Sequence, residues 1–171
     1  MSQQNLSSVM CLDGPMFSPQ DRWKALVLYG LNTATYKIAF GKTLLKLSAD
    51  GITTVSWNVL SREFLDQYIA RLSVDSPMPQ LDHPSRITVM ERVVAKYRSG
   101  NIGYDEAIEL VGQKAFDDVV PRFQNLGRRA SFDGQFYEFN AGRDLVVTDE
   151  LLTLSYTIRD ELDAELDARW G

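Results

Sequence analysis

Beyond Thr148, apolar residues fall at Leu151, Leu154, Ile158, Leu162, Leu166 and Trp170, and the second half of this stretch is otherwise almost entirely charged. The four-residue spacing from Leu154 onward keeps a stripe on one side of an α-helix for about six turns at 3.6 residues per turn. Thr148 offers a hydroxyl cap, and Asp149 and Glu150 place carboxylates at the positive end of the helix dipole. The pattern predicts a long C-terminal helix over about 149–170. Its first half packs on the domain. Its second half either extends into solvent or carries Leu162, Leu166 and Trp170 to a partner, and a tryptophan one residue from the chain end needs cover.

Charge is distributed unevenly. Residues 149–171 hold seven carboxylates against Arg159 and Arg169, a net of -5, whereas residues 1–48 hold Arg22, Lys24, Lys37, Lys42 and Lys46 against Asp13 and Asp21, a net of +3. Solvated helix faces account for such runs; the sharper alternative is a basic contact face at the N-terminal end.

The remaining composition excludes chemistry more than it suggests any. A chain of 171 residues buries roughly 70% of its unfolded surface on folding, enough for one core. The expected organisation is a flexible N-terminal arm over 1–20 and a single globular domain over 21–171 that ends in the extended helix. Cys11 and His83 each stand alone, which excludes an internal disulfide, a cysteine zinc cluster and any mechanism needing two histidines. One cysteine fits a reducing, cytoplasmic setting. The opening residues are polar and lack a signal-peptide pattern, and no apolar run approaches the roughly 18 residues of a membrane helix, so no membrane partner is expected.

The elements between follow from periodicity and turn chemistry. A short helix is expected over Asp21–Tyr29 behind Pro19, with Gly30 as its stop. Asn32 and Thr33 offer caps for a second helix to about Ser48, whose wide apolar face holds Tyr36, Phe40, Leu44 and Leu47 with Lys42 and Lys46 on the polar side. After Asp50-Gly51 and a β-branched stretch at 52–55, Ser56 caps a third helix, antiparallel to the second. A proline-rich connection over 73–84 holds His83. A fourth helix begins near Ser85, a fifth near Asp105, and a helical segment over 116–123 is kinked or ended by Pro121. Asp133-Gly134 between two aromatic runs predicts a hairpin over 130–140, with Leu145–Val147 as a third strand. The fold class is therefore α+β and mainly α-helical, with five to seven helices and a small antiparallel hairpin or three-stranded sheet near 130–148.

Short motifs add little. Gly41-Lys42-Thr43 lacks the earlier glycine of a phosphate loop and sits in a helical pattern, so Gly41 reads as a close packing position. Arg122, Arg128 and Arg129 with Phe132, Phe136, Tyr137 and Phe139 have the makings of a nucleic-acid surface, but alternation commits one face to the core. Asp117-Asp118 and Glu106/Glu109 read as solvated faces.

Several stretches together resemble one family. WKALVLYGLNTATYKIAFGKTLLKLS (23–48), MERVVAKYRSGNIGYDEAIELVGQKAFDDVVPRFQNLG (90–127), FDGQFYEFN and LVVTDELL are similar to the N-terminal region of bacterial HNH endonuclease-like proteins, over most of residues 22–170. The resemblance implies an accessory domain for recognition, dimerisation or regulation beside an HNH-type DNA endonuclease, in restriction or phage defence. The ββα-metal module would follow the last helix, so no catalytic residue is carried over. A divalent metal is expected only in that missing nuclease module and no cofactor in this chain. Implied partners are DNA, a nuclease domain or subunit, or a second copy in a homodimer. Lys37, Lys42, Lys46, Arg128 and Arg129 are the DNA-contact candidates, by charge. The alternative is a protein-interaction module assembling through Leu162, Leu166 and Trp170 with no nucleic-acid role. A stand-alone enzyme is disfavoured because no acid, base and nucleophile set converges.

Overall fold

The computed structural model describes residues 18–29, 35–73, 87–124 and 136–170. Among them seven helices and three strands run in the order α1 (Pro19–Tyr29), α2 (Tyr36–Ala49), β1 (Thr54–Ser56), α3 (Trp57–Leu72), α4 (Val89–Arg98), α5 (Tyr104–Lys114), α6 (Phe116–Arg122), β2 (Tyr137–Asn140), β3 (Asp144–Val147) and α7 (Asp149–Trp170). This is the mainly helical α+β class that the periodicities predict. None of these helices is long and apolar enough to cross a membrane.

Local chemistry sets the helix starts. Pro19 opens α1, where its missing N–H has no intrahelical partner to lose, and the backbone N–H of Asp21 donates to Ser18 Oγ at 3.1 Å. Ser56 closes β1 and caps α3, accepting from the Val59 N–H at 3.2 Å. Thr88 and Glu91 form a reciprocal capping box on α4, with bonds of 2.9 and 3.1 Å. Gly30, Asn32, Thr33, Cys11 and His83 lie outside the described residues, as do Asp133-Gly134, Arg128 and Arg129.

The three strands form one antiparallel sheet in the order β1-β3-β2. Val55, Leu145, Val147 and Tyr137 point into the core, while Thr54, Val146 and Glu138, which share one row, point out. The strand expected at Leu145–Val147 is β3, and the turn expected at Asp133-Gly134 lies outside the described residues; the sheet has two features that the pattern did not predict. Its turn joins β2 to β3 through Gly142 at φ 76°, with the Arg143 N–H donating to the Asn140 carbonyl at 2.9 Å. Its third strand is β1, from the β-branched stretch before α3. At the entry to β2 the Gln124 side chain takes the role of a neighbouring backbone: its Oε1 accepts from the N–H groups of Phe136 at 2.8 Å and Tyr137 at 3.3 Å, and its Nε2 donates to the Tyr137 carbonyl at 3.2 Å.

Phe40 of α2 sits where the layers meet. Its ring makes edge contacts with Phe64 of α3, Phe123 after α6 and Tyr137 of β2, at centroid distances of 6.4, 5.4 and 5.6 Å. Tyr36 meets Tyr68 while Lys46 meets Glu63, so α2 and α3 are antiparallel as expected.

On its other side α3 lies along α5, where Trp57 Nε1 donates to the Gly112 carbonyl at 3.0 Å. A β-carbon at Gly112 would stand 2.8 Å from Ser61 Oγ. We expect Gly112→Ala to lower stability in the native background, because a short side chain on a buried helix has little room to yield. With Ser61→Ala the obstacle is gone, and the same change should gain up to about 1 kcal/mol from helix propensity. Urea unfolding of the single and double variants measures both; an equal effect of Gly112→Ala in the two backgrounds would refute the close approach.

Candidate functional site

One residue singled out as a DNA contact, Lys42, meets the helix segment singled out as a partner interface. α7 is interrupted at Ile158, whose φ of -137° and ψ of 24° are not helical, so the helix has a proximal half and a distal segment, with Ile158 itself packed against the core. The distal segment does not extend into solvent. Leu162 and Leu166 are each 1% exposed and Trp170 is 6% exposed, all within the protein's own core.

Their seat is a groove formed by α2 and α3. Gly41 is the close packing position that the sequence suggested: a β-carbon there would lie 3.3 Å from Leu166 Cδ1 and 3.5 Å from Phe123 Cε2. Trp170 packs edge-on against Tyr68 with centroids 5.3 Å apart. Because Trp170 reaches the end of α3 and Leu166 reaches Gly41, α7 runs antiparallel to α2. Ser48 on α2 and Ser155 on α7 are buried hydroxyls without a hydrogen-bond partner among the described residues.

Charge complements the apolar contact. Lys42 Nζ donates to Asp163 Oδ1 at 2.9 Å and to Asp167 Oδ1 at 2.7 Å, and each aspartate follows one of the buried leucines. At the start of α7, Arg22 pairs with Glu150 at 3.2 Å. At its end, an Arg71 guanidinium nitrogen donates to the Trp170 carbonyl at 2.6 Å while the group lies 5.6 Å from the indole ring centre, a cation at the negative end of the helix dipole. Lys46 turns the other way and bonds Glu63 at 2.8 Å, with Asp50 at 3.6 Å. Lys37 is 5% exposed, with Nζ 5.7 Å from the Phe123 ring centre. All three lysines predicted for DNA thus have contacts within the chain, Lys46 with its side chain 41% exposed.

Sequence reasoning missed Arg71, Arg22 and the break at Ile158. A signal for Arg22 was present: the +3 and -5 ends are complementary surfaces of one interface. Among the aromatic candidates Phe136 and Tyr137 are fully buried, and Phe139 is partly exposed. Phe132 lies outside the described residues. Arg122 is exposed and lies 3.6 Å from Asp118. Among the described residues no group of three or more His, Cys, Asp and Glu side chains is placed to hold a metal ion. What this arrangement can do chemically is hold an acidic, leucine-bearing helix by shape and charge.

No protein-family model, curated protein or solved structure matches this chain.

The Lys42 side chain is 11% exposed, against 38% and 62% for Asp163 and Asp167. Removing the lysine leaves two carboxylates that water can solvate, whereas removing both aspartates leaves an ammonium enclosed without its counter-charges. Lys42→Met should therefore cost under about 1 kcal/mol, and Asp163→Ala/Asp167→Ala about 2–3 kcal/mol. Denaturant midpoints in the reverse order would contradict this geometry.

Burial lowers the Lys37 pKa from 10.5 to about 8. Below that value both folded and unfolded chains carry the proton and the burial penalty is complete. Between pH 8 and 10 the unfolded chain retains a proton that the folded one releases, so stability rises with pH. Urea titrations at about pH 7.5 and about pH 9.5 should show this rise in the native chain relative to Lys37→Met; parallel pH profiles would refute it.

Proposed function

We propose that this chain is a protein-interaction domain whose recognition surface is the α2–α3 groove, with an acidic amphipathic helix as its ligand and its own distal α7 segment as occupant. The observation that carries this reading is Lys42 held between Asp163 and Asp167 beside the buried Leu162 and Leu166. Leucines in the groove supply affinity through apolar burial, and aspartates one residue later fix register and charge. This is helix-in-groove recognition, read out by anchors at four-residue spacing.

The setting proposed with it is the one the sequence resemblance implies: a recognition or regulatory domain beside an HNH-type endonuclease, in restriction or phage defence, contributing no catalytic residue. Protein is favoured over DNA as the ligand because a phosphate contact by Lys42 or Lys46 would displace carboxylates already bonded to it.

The test uses the full chain carrying Asp163→Arg/Asp167→Arg, which repels the distal segment from Lys42, and a fluorescent peptide with the native sequence of residues 159–170. Anisotropy should report saturable binding, and adding Lys42→Glu should weaken it about tenfold, or about 1.4 kcal/mol. No binding at about 1 mM peptide would overturn the reading. Filter binding at about 50 mM salt supplies the other arm. Retention of duplex DNA by the native chain, falling with salt at a log–log slope near -0.9 per phosphate and lost in Arg128→Ala/Arg129→Ala, would replace protein with DNA as the ligand.

A further inference from the structure

We infer that the distal α7 segment is exchangeable, so that the groove of one chain takes the segment of a second copy and the chain forms a symmetric dimer. The inference rests on the interaction-domain reading above and adds the identity of the partner. Three observations carry it.

First, the break lies at the boundary that exchange requires. Ile158 separates the proximal half, anchored through Leu151, Leu154 and the Arg22–Glu150 pair, from the segment seated on α2 and α3. A few residues that absorb a φ/ψ change are what a hinge consists of. If Ile158 adopts helical angles, α7 becomes one rod of 22 residues, about 33 Å long. Straightening at Ile158 re-aims the distal segment relative to the proximal contacts.

Second, the anchors meet residues of α2 and α3. Leu166 meets the Gly41 site, Asp163 and Asp167 meet Lys42, and Trp170 meets Tyr68 and Arg71. The same contacts form in the same geometry when a second copy supplies the segment, which is the self-complementarity of a two-fold interface.

Third, the released state has no use for its exposed surface. Leu162, Leu166 and Trp170 would stand in water with the groove beside them, each open chain carrying one site and one ligand. Pairing two open chains covers both.

The experiment is a charge-swap mixture. Lys42→Glu in one preparation and Asp163→Lys/Asp167→Lys in another each set like charges against one another within a chain. When the two are mixed, every exchanged contact pairs opposite charges: the altered groove receives the introduced lysines, and the native groove receives native aspartates. Light scattering should give each variant alone the mass of one 19.4 kDa chain and the mixture twice that mass. Adding Leu162→Asp to both should abolish the dimer.

A mixture that stays at the mass of one chain would overturn exchange. If the residue 159–170 peptide still binds as described above, the interaction-domain reading survives that failure; if it does not bind, both fall. A dimer that persists with Leu162→Asp in both components uses another surface and also overturns the inference. Should the swapped variants fail to fold, Ile158→Ala in the otherwise native chain decides the matter. Replacing a β-branched residue by the strongest helix former at the break should raise the dimer fraction at fixed concentration severalfold, and an unchanged fraction would reject the hinge.

Discussion

The fold depends on covering α2. Ten of its fourteen residues are buried, Lys37, Thr43 and Ser48 among them, so one neighbour is not enough and the helix must be enclosed. α3 covers one side, Phe123 and the sheet residue Tyr137 close over Phe40, and the distal α7 segment lies along the rest. Enclosure explains why an acidic segment is needed. Lys42 and Lys46 sit on a helix that has little open surface, and their ammonium groups reach carboxylates of whichever element covers them. Without those carboxylates the covering helices would pack against uncompensated positive charge.

The starts of α1 and α3 were legible because each rests on chemistry within four residues, Pro19 in α1 and Ser56 before α3, whereas the helix expected from near Ser85 begins at Val89, behind the Thr88–Glu91 capping box. The β2–β3 turn at Gly142 was not read from the sequence. Asp133-Gly134, flanked by aromatic runs in a hairpin pattern, lies outside the described residues; Phe136 after it belongs to the core against Trp23, with centroids 5.3 Å apart, and the entry to β2 is tied to Gln124. A side-chain amide standing in for a strand leaves no periodic trace. β1 was recognised as a β-branched stretch, but its place beside β3 is a contact across about ninety residues, which local pattern does not encode.

The candidate site was legible in its parts and not in its assembly. Lys42 was chosen for its charge and Leu162, Leu166 and Trp170 for their unexplained apolar stripe. Both readings treated a sequence property as a property of the surface. Charge that is paired inside a fold contributes little to the field outside it, and an amphipathic stripe states only that some surface covers it. The missing step was to set the two against each other: an apolar face flanked by aspartates and an apolar face bearing a lysine are complementary before any outside partner is invoked. The break at Ile158 had no signal either, since a β-branched residue on the stripe is an ordinary helix member.

That complementarity has an energetic consequence for assembly. Contacts made through side chains and one terminal carbonyl do not distinguish which chain supplies the segment, so seam strength cancels between the closed chain and an exchanged pair. What remains is the conformational preference at Ile158 against the cost of bringing two chains together. A tethered segment sees its own groove at an effective concentration on the order of millimolar, so closure prevails when the chain is dilute. The non-helical residue at Ile158 opposes closure, because it forgoes regular helical backbone in the middle of α7. In the proposed exchange, strengthening the seam therefore stabilises both states alike, while a substitution at the break changes their ratio, and the position that sets this ratio is not among the residues that form the seam.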